Sequence, residues 1–459
     1  MEFSSIFFIY FVFPIFTLIY YIIPKKHSQT VLFVLSLIFV FMSGIYAVAG
    51  VLAFIAVNYA LCLAIDRLSY SKMLSRAVFT VDFVLNIIMV GICRYSLLEK
   101  LEIYGNFNSQ LTFIGASFLA MSGIGFADEI CSGEKMERNL IKFGLYIAYF
   151  PKLMLGPYIS YKDFAANLEK SEKSLGAIGN GAAAFIKGLA KKVILADSIF
   201  KLWNSVNMLK ISSISVLTAW LGVIAFGLCF YFTLSGITDM ARGISLVFGI
   251  DLPRSFQYPL FSIGMSEFCL RWHTDIVKWF RNLTFIPVRK RTSNKVIIAI
   301  ILMLLWCLVG IFYEWSVNKV IWGFIIGFSL TAEKALGKKI FGNLPAFLFE
   351  VLVTTLGWIF FMEEKPVDSL MYLRTITGGT GNIVDSSGIY LLKAYSLIIL
   401  IGIYFASDLF KNLTERSKGK AKVEIILSIV SPFAVMALLI LSTSFIVTNG
   451  HSFAPVIKF

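Results

Sequence analysis

Long apolar runs, separated by short charged loops, restrict this chain to one kind of fold. Residues 3–23, 31–49, 51–65, 296–312 and 423–447 carry almost no charge. Each run is close to the roughly 20 residues that a helix needs to cross a hydrocarbon core. Apolar residues make up 58% of the 459 positions and charged residues only 15%, whereas a soluble domain is nearer a quarter charged. The sequence therefore predicts an all-α polytopic membrane protein.

Fourteen segments are candidates for crossing the membrane, and we expect eleven to thirteen of them to cross. The shortest are expected to be re-entrant. β-Barrel strands are excluded because the runs are too long and do not alternate. No soluble domain fits between the candidates, which predicts a single membrane-embedded domain over residues 1–459. The candidates are residues 4–23, 31–49, 51–65, 77–93, 111–127, 141–157, 179–197, 214–235, 240–250, 296–312, 317–331, 345–361, 388–409 and 424–447.

The positive charge of the chain is distributed in a way that predicts its orientation. The formal net charge of +14 is spread over short loops, including residues 289–295 and 411–422, as is typical of cytoplasmic loops facing anionic lipid. Lys25 and Lys26 follow the first apolar run, so the N-terminus is expected outside the cytoplasm. No repeated basic and aromatic module is present, so nucleic acid is not an expected partner, whereas membrane lipid is.

Residues 231–287 are densely polar and aromatic, although they lie between apolar runs. An ionisable group at membrane depth is costly unless it is paired or hydrated, so such a cluster indicates a functional site. Residues 251–295 are too polar to span the membrane, and we expect them to form re-entrant or interfacial helices that line a funnel. The ionisable residues of the block are Asp239, Arg242, Asp251, Arg254, Glu267, Arg271, His273, Asp275, Lys278 and Arg281.

His273 is one of three histidines in the chain and lies in the middle of this block. A lone histidine of this kind is either a structural residue held by a carboxylate or a residue that lines a substrate site. No metal site is predicted, because no second His or Cys lies at ligand spacing. Asp239 and Arg242 are three residues apart, so on a helix they share a face and form either an ion pair or part of a site.

Five sequence elements resemble those of a known family, and they occur in the same order. The family is the membrane-bound O-acyltransferases (MBOAT), specifically the bacterial branch that includes an alginate O-acetylation membrane protein. The matching elements are FSSIFFIYFVFPIFTLIYYIIPKK near the N-terminus, YFPKLMLGPYISYKDF (149–164), FIKGLAKKVILADSI (185–199), SGITDMARGISLVFGIDLPRSFQYP (235–259) and RWHTDIVKWFRN (271–282).

The resemblance implies both an architecture and a reaction. It implies a shell of helices around a thin partition, with a funnel on each side, in a bacterial plasma membrane. The acyl donor implied is acetyl-CoA from the cytoplasm, used without a metal. The acceptor implied is an extracytoplasmic polysaccharide, often reached through a second, extracytoplasmic acyltransferase protein as partner.

The resemblance also implies particular site residues, with one departure. The family carries a catalytic histidine in a later helix, and the corresponding stretch here, GIFYEWSVNKVIWG (310–323), has Tyr313 at that position. A tyrosine is a poor general base at neutral pH, because its ordinary pKa is about 10, but it can donate a hydrogen bond to an oxyanion. We therefore expect His273 and Tyr313 to be catalytic. The expected substrate-binding residues are Arg271, Trp272, Asp239, Arg281 and Asn282.

Two alternatives follow from the missing histidine. One is an active acetyltransferase whose chemistry depends on His273 and Tyr313. The other is a catalytically impaired homologue that acts as a scaffold, or as an acyl conduit, in a complex that modifies a cell-surface polysaccharide.

Overall fold

Most of the part of the chain that the structure describes is helical. The structure, a computed structural model, describes residues 2–95, 115–211, 213–336, 342–379, 381–409 and 421–449, and none of these residues is in a strand. Within these ranges, seven helices are long and apolar enough to cross a membrane. This confirms the all-α polytopic fold. The segments concerned are Ile45–Arg67, Lys72–Cys93, Val216–Val247, Lys295–Tyr313, Asn343–Met362, Ser386–Ala406 and Ser428–Thr448.

The chain packs into two compact units. The first comprises Met1–Phe185 and Ile237–Pro253, and the second comprises Ile186–Gly236 and Arg254–Phe459. Two compact units can belong to one membrane-embedded domain, so the single domain over residues 1–459 stays a prediction.

The first unit holds the helices of the N-terminal part of the chain, most of them short. They are α1 (Phe13–Ile22), α2 (Ser28–Phe41), α3 (Ile45–Arg67), α4 (Lys72–Tyr95), α5 (Ala116–Cys131), α6 (Leu140–Ala148), α7 (Phe150–Leu153), α8 (Tyr161–Lys170) and most of α9 (Leu175–Ala190).

The second unit holds most of the spanning helices. It comprises α10 (Asp197–Asn207), most of α11 (Val216–Val247), α12 (Met265–Arg271), α13 (Thr274–Phe280), α14 (Ile286–Arg291), α15 (Lys295–Tyr313), α16 (Val317–Leu336), α17 (Asn343–Met362), α18 (Pro366–Ile376), α19 (Ser386–Ala406) and α20 (Ala421–Asn449).

Three of the candidate segments differ from what the sequence predicts. Residues 214–235 and 240–250 are not separate segments but parts of the single 32-residue helix α11, in which no proline interrupts the backbone hydrogen bonds. Residues 141–157 do not form one helix. The chain leaves the helical conformation at Tyr149 (ψ 105°) and starts again as α7 with Pro151 in its first turn, where a proline is tolerated because its missing N–H is not needed.

Residues 251–295 form only short helices, as the sequence predicts. Helices α12 and α13 have 7 residues each and α14 has 6, which at 1.5 Å per residue is about 10 Å and far less than a bilayer. Residues 281–285 form a π-helical turn between α13 and α14. Each of these helices is therefore too short to span a membrane.

Helices α15 and α16 form a tight hairpin because glycines line its contact. A Cβ atom on Gly310 would lie 2.0 Å from the Lys319 carbonyl oxygen, and one on Gly323 would lie 2.2 Å from the Trp306 carbonyl oxygen. Small residues let helix backbones approach closely in a membrane, where van der Waals packing and not the hydrophobic effect drives association. This packing fixes the end of α15, and with it Tyr313.

We expect replacement of Gly323 by valine to force α15 and α16 apart. The added side chain meets backbone atoms that cannot rotate away, and overpacking of this kind costs about 1–3 kcal/mol or more. The measurement is the thermal unfolding temperature of the detergent-solubilised protein. The matched control is Gly179→Ala in α9, where an added Cβ meets nothing within 4 Å. Equal unfolding temperatures for Gly323→Val and the control would contradict this account of the hairpin.

Candidate active site

The corner between α12 and α13 carries Trp272 and His273. The backbone of Trp272 is extended, and that of His273 is left-handed, with φ 39°. A left-handed conformation is uncommon for a residue other than glycine and persists only where the surroundings enforce it. Here the backbone N–H of Thr274 donates to the backbone carbonyl of Ser255 (2.8 Å), and the backbone N–H of Trp272 donates to the backbone carbonyl of Phe268 (2.9 Å). The corner is therefore fixed on both sides of the histidine.

The corner brings two residues onto the hydroxyl of Tyr313, the last residue of α15. His273 Nδ1 lies 2.6 Å from Tyr313 Oη, and Trp272 Nε1 donates to the same oxygen at 3.2 Å. All three side chains are fully buried, with 0% of each residue exposed. The two residues expected to be catalytic are thus in direct contact, although they are 40 positions apart in the chain.

The other imidazole nitrogen, Nε2 of His273, is buried and has no hydrogen-bond partner among the described residues. If Tyr313 donated to Nδ1, Nε2 would carry a buried hydrogen with no acceptor, which costs about 1–3 kcal/mol. If Nδ1 carries the hydrogen and donates to Tyr313, Nε2 presents a lone pair, and the O–H of Tyr313 must then donate to an acceptor other than the imidazole. The second tautomer is the one suited to accept a proton from a substrate.

Burial lowers the pKa of His273 from 6.5 to about 4, and the nearby charge of Asp275 acts in the opposite direction. The imidazole is therefore neutral at pH 7. A neutral imidazole, held through one nitrogen with the other unpartnered, has a lone pair that can accept a proton, and a pKa of about 4 makes it a weaker base at pH 7 than an imidazole that titrates near neutrality.

Aromatic rings enclose the pair. The centre of the Phe256 ring lies 4.8 Å from the centre of the His273 ring. The centres of the Phe230 and Phe361 rings lie 5.6 and 5.5 Å from the centre of the Tyr313 ring. Such a wall excludes water and strengthens every electrostatic interaction inside it. Because His273 has no exposed surface, a substrate reaches Nε2 only if a neighbouring side chain moves.

Arg271 lies next to this pair but is occupied by carboxylates. It donates to Glu267 at 2.6 Å, one helical turn earlier, and to Asp408 after α19 at 2.7 Å. The side chain is a quarter exposed, so both ion pairs are partly screened by solvent. These contacts join α12 to the end of α19, and they favour a structural role for Arg271.

The other residues expected to bind substrate lie in the π-helical turn after α13 and in α11. Arg281 begins the π-helical turn, and its Nε is buried without a partner in the described part of the chain. Asn282, the next residue, is exposed. Asp239 lies in the part of α11 that belongs to the first unit. Arg242 pairs with Asp251 at 2.7 Å, which gives this arginine a partner nine residues later in the chain. Substrate binding by these residues stays a prediction.

The sequence did not indicate one ion pair close to Tyr313. Lys319, which is 4% exposed, pairs with Glu314 at 2.9 Å, and its Nζ lies 5.0 Å from the centre of the Phe361 ring. The two charged residues are five positions apart and flank the turn between α15 and α16. Oppositely charged residues on one helix pair at spacings of three or four, so a spacing of five did not predict this contact. The contact follows from the turn between α15 and α16.

Comparisons with known proteins support the family resemblance. Residues 133–340, which include both His273 and Tyr313, match the model of MBOAT, the membrane-bound O-acyltransferase family. The chain is 26% identical over 444 residues to a probable alginate O-acetylase AlgI of Pseudomonas syringae, an alignment that covers 92% of this chain and 85% of that protein.

Two further relatives act on other polymers, according to their names. A peptidoglycan O-acetyltransferase of Helicobacter pylori is 26% identical over 60% of this chain and 54% of its own length. A teichoic acid D-alanyltransferase of Bacillus subtilis is 25% identical over 47% of this chain and 57% of its own length. Residues 133–340 therefore match a membrane-bound O-acyltransferase domain, and over most of its length the chain is similar to alginate O-acetylases.

The lowered pKa of His273 predicts a specific dependence of stability on pH. Below pH 6.5 the unfolded chain binds a proton at this histidine, whereas the folded protein does so only near pH 4. The free energy of unfolding should therefore fall by about 3 kcal/mol as the pH drops from 6.5 to 4, and level off below that range.

The measurement is the unfolding temperature of wild type and His273→Gln across this pH range. We expect the glutamine variant to lose this component of the pH dependence. The control is His27→Gln, which removes an exposed histidine and should leave the pH dependence as in wild type. A His273→Gln profile parallel to that of wild type would show that His273 is not a buried neutral imidazole.

Proposed function

We propose that the protein transfers an acyl group, most simply acetyl, from a cytoplasmic acyl-CoA to an extracytoplasmic acceptor. The acceptor is a hydroxyl of a cell-surface polysaccharide or of a second acyltransferase that passes the group on. One observation carries the proposal: the buried His273 presents an unpartnered Nε2, while its Nδ1 is held by Tyr313.

In the proposed reaction, the acceptor hydroxyl attacks the thioester carbonyl carbon and gives its proton to His273 Nε2. A tetrahedral oxyanion forms, the carbon–sulfur bond breaks, and the thiolate takes the proton from the imidazolium. Tyr313 holds the imidazole in the tautomer with the hydrogen on Nδ1, in the way that a third group orients the base in other acyl transferases. Trp272 in turn fixes the phenol oxygen. In this arrangement Tyr313 positions the base and does not replace it.

The charge pattern supports approach of donor and acceptor from opposite sides. Arg289, Lys290 and Arg291 directly precede α15, and basic loops remain on the cytoplasmic side. Helix α15 has 19 residues and is about 28 Å long, so Tyr313 at its other end would lie towards the extracytoplasmic side. An acceptor that stays outside the cell would then meet the acyl group at this end of α15.

The scaffold or conduit alternative rests on a different observation. His273 and Tyr313 are closed off completely by their neighbours, as in a protein that keeps the family's packing but no longer admits a substrate. The two functions differ in one consequence: a scaffold tolerates loss of the His273 side chain as long as the packing is preserved, whereas an enzyme does not.

We expect His273→Ala to lower acetyl transfer by about 10²–10⁴-fold, because it removes the general base. Tyr313→Phe should lower transfer by about tenfold, since it removes one neutral hydrogen bond to the base and leaves the ring in place. The measurement is transfer of label from radiolabelled acetyl-CoA in vesicles that contain the protein and a polysaccharide acceptor.

The matched control is Tyr372→Phe, in the same unit. Tyr372 is also buried, and its hydroxyl donates to the Ala219 carbonyl at 2.9 Å, so this variant tests the general effect of losing a buried tyrosine hydroxyl. Equal transfer by wild type and His273→Ala would refute the role of the base. If wild type transfers no acetyl group and Tyr313→His does, the protein is an enzyme that has lost its catalytic histidine, and this result would favour the scaffold.

A further inference from the structure

Helix α4 is inverted: its buried side chains are polar and its exposed side chains are apolar. Within residues 72–93 the buried residues are Ser75, Asp82 and Asn86. The side chains that face outwards are largely apolar; they include Val81, Val84, Leu85, Ile87 and Ile88. An apolar outer face suits lipid. A polar inner face among apolar spanning helices is costly, and in a membrane it marks a site or a path for a polar species.

Asp82 lies near the middle of this helix. It follows Lys72, the first residue of α4, by ten positions, which is about 15 Å along the axis and about half the thickness of a hydrocarbon core. The residue is 0% exposed. Neither carboxyl oxygen has a hydrogen-bond partner among the described residues.

The orientation of the neighbouring amides is settled by their hydrogen bonds. Asn86 Nδ2 donates to Asn58 Oδ1 in α3 (3.0 Å) and to the Asp82 carbonyl (2.8 Å). Asn58 Nδ2 donates to the Phe54 carbonyl (3.0 Å). Because both NH₂ groups are used as donors, the amide oxygens are assigned without ambiguity. Asn86 Oδ1 is then left buried and without a partner in this part of the structure.

Helix α5 completes the surroundings. A Cβ atom on Gly123 would lie 2.4 Å from Asn58 Oδ1 and 3.0 Å from Asn86 Oδ1, so both amide oxygens face the bare backbone of this glycine. The Asn86 side chain also lies close to the Asp82 carboxyl, one helical turn away on the same face of α4, although neither carboxyl oxygen has a partner of good hydrogen-bond geometry among the described residues. The carboxyl and amide oxygens of α4 and the amide oxygen of Asn58 in α3 are thus neighbours beside α5.

We propose that Asp82, Asn86 and Asn58 form a binding site for a small monovalent cation, with Na⁺ as the ligand that tests it. Carboxylate and amide oxygens are the ligands that hard cations prefer. A carboxylate at membrane depth needs a compensating charge, and one monovalent ion neutralises one carboxylate, whereas a divalent ion would leave a net charge in hydrocarbon. A proton is the other ligand that would neutralise Asp82, and the experiment below distinguishes it from a cation.

The experiment compares the thermal unfolding of the detergent-solubilised full chain in NaCl and in choline chloride at equal ionic strength. A ligand that binds only the folded state raises the unfolding temperature. We expect Na⁺ to raise it by a few degrees in wild type and to have no such effect on Asp82→Asn, which keeps the shape of the side chain and removes its charge. Asp251→Asn, at a largely exposed aspartate, is the matched control and should keep the full response to Na⁺.

Three results would overturn the site. The first is an equal unfolding temperature of wild type in NaCl and in choline chloride. The second is an Na⁺ response of Asp82→Asn as large as that of wild type. The third is an unfolding temperature that depends on pH but not on the cation, which would leave a proton as the only ligand. If Asp82→Asn does not fold, Asn86→Ala provides the same test, because it keeps the carboxylate and removes one amide oxygen. The response to Na⁺ should then be weakened, and an unchanged response would count against the site.

Discussion

A polar group buried in hydrocarbon needs a partner inside the protein, and this constraint governs the whole structure. It explains why the described backbone is helical, because a helix satisfies its own N–H and carbonyl groups. It also explains how isolated hydroxyls are accommodated. Ser36 donates to the Leu32 carbonyl and Thr354 to that of Glu350, both at 2.8 Å and both one turn back along the same helix. Where a buried polar atom has no such partner, function is the more informative explanation.

Several buried polar atoms of the described residues depart from this constraint, and two of them differ in chemistry. In the second unit one departure is a neutral nitrogen, His273 Nε2, whose ring contacts the Tyr313 hydroxyl through the other nitrogen. In the first unit one departure is the carboxyl group of Asp82, one helical turn from the unpartnered amide oxygen of Asn86. A neutral nitrogen lone pair is suited to accept a proton. A carboxylate among oxygens is suited to hold a cation.

The contact between His273 and Tyr313 depends on backbone geometry as much as on its own hydrogen bond. His273 is held left-handed at a corner that backbone hydrogen bonds secure, and Tyr313 lies at the end of a helix that glycines pack tightly against its partner. Neither of these two features involves the side chain of His273 or of Tyr313. Together they hold His273 Nδ1 and Tyr313 Oη 2.6 Å apart. The surrounding aromatic rings exclude water from this contact. Sites of this kind require rigid support, because a displacement of about 1 Å can cost two orders of magnitude in rate.

Much of the fold and part of the site could be predicted from the sequence. Apolar runs of about 20 residues determine spanning helices on their own, because the length of a helix and its transfer into lipid are local properties. For the same reason the polar block between them already marked His273 and residues 251–295 as the region of interest. The separate segments expected at 214–235 and 240–250 were wrong, since local hydropathy does not reveal that a helix continues through a polar stretch.

Tertiary structure alone decided which polar groups meet. The contact of His273 with Tyr313, the partners of Arg271 in Glu267 and Asp408, and the ion pair of Glu314 with Lys319 all depend on how separate helices pack. The same holds for the inner face of α4, where Asp82 and Asn86 read in the sequence as two polar residues in an apolar run. Their positions are local, but whether each finds a partner depends on neighbours that are distant in the chain. That is why the sequence by itself determined the kind of protein, and only the packing decided where its unsatisfied atoms lie.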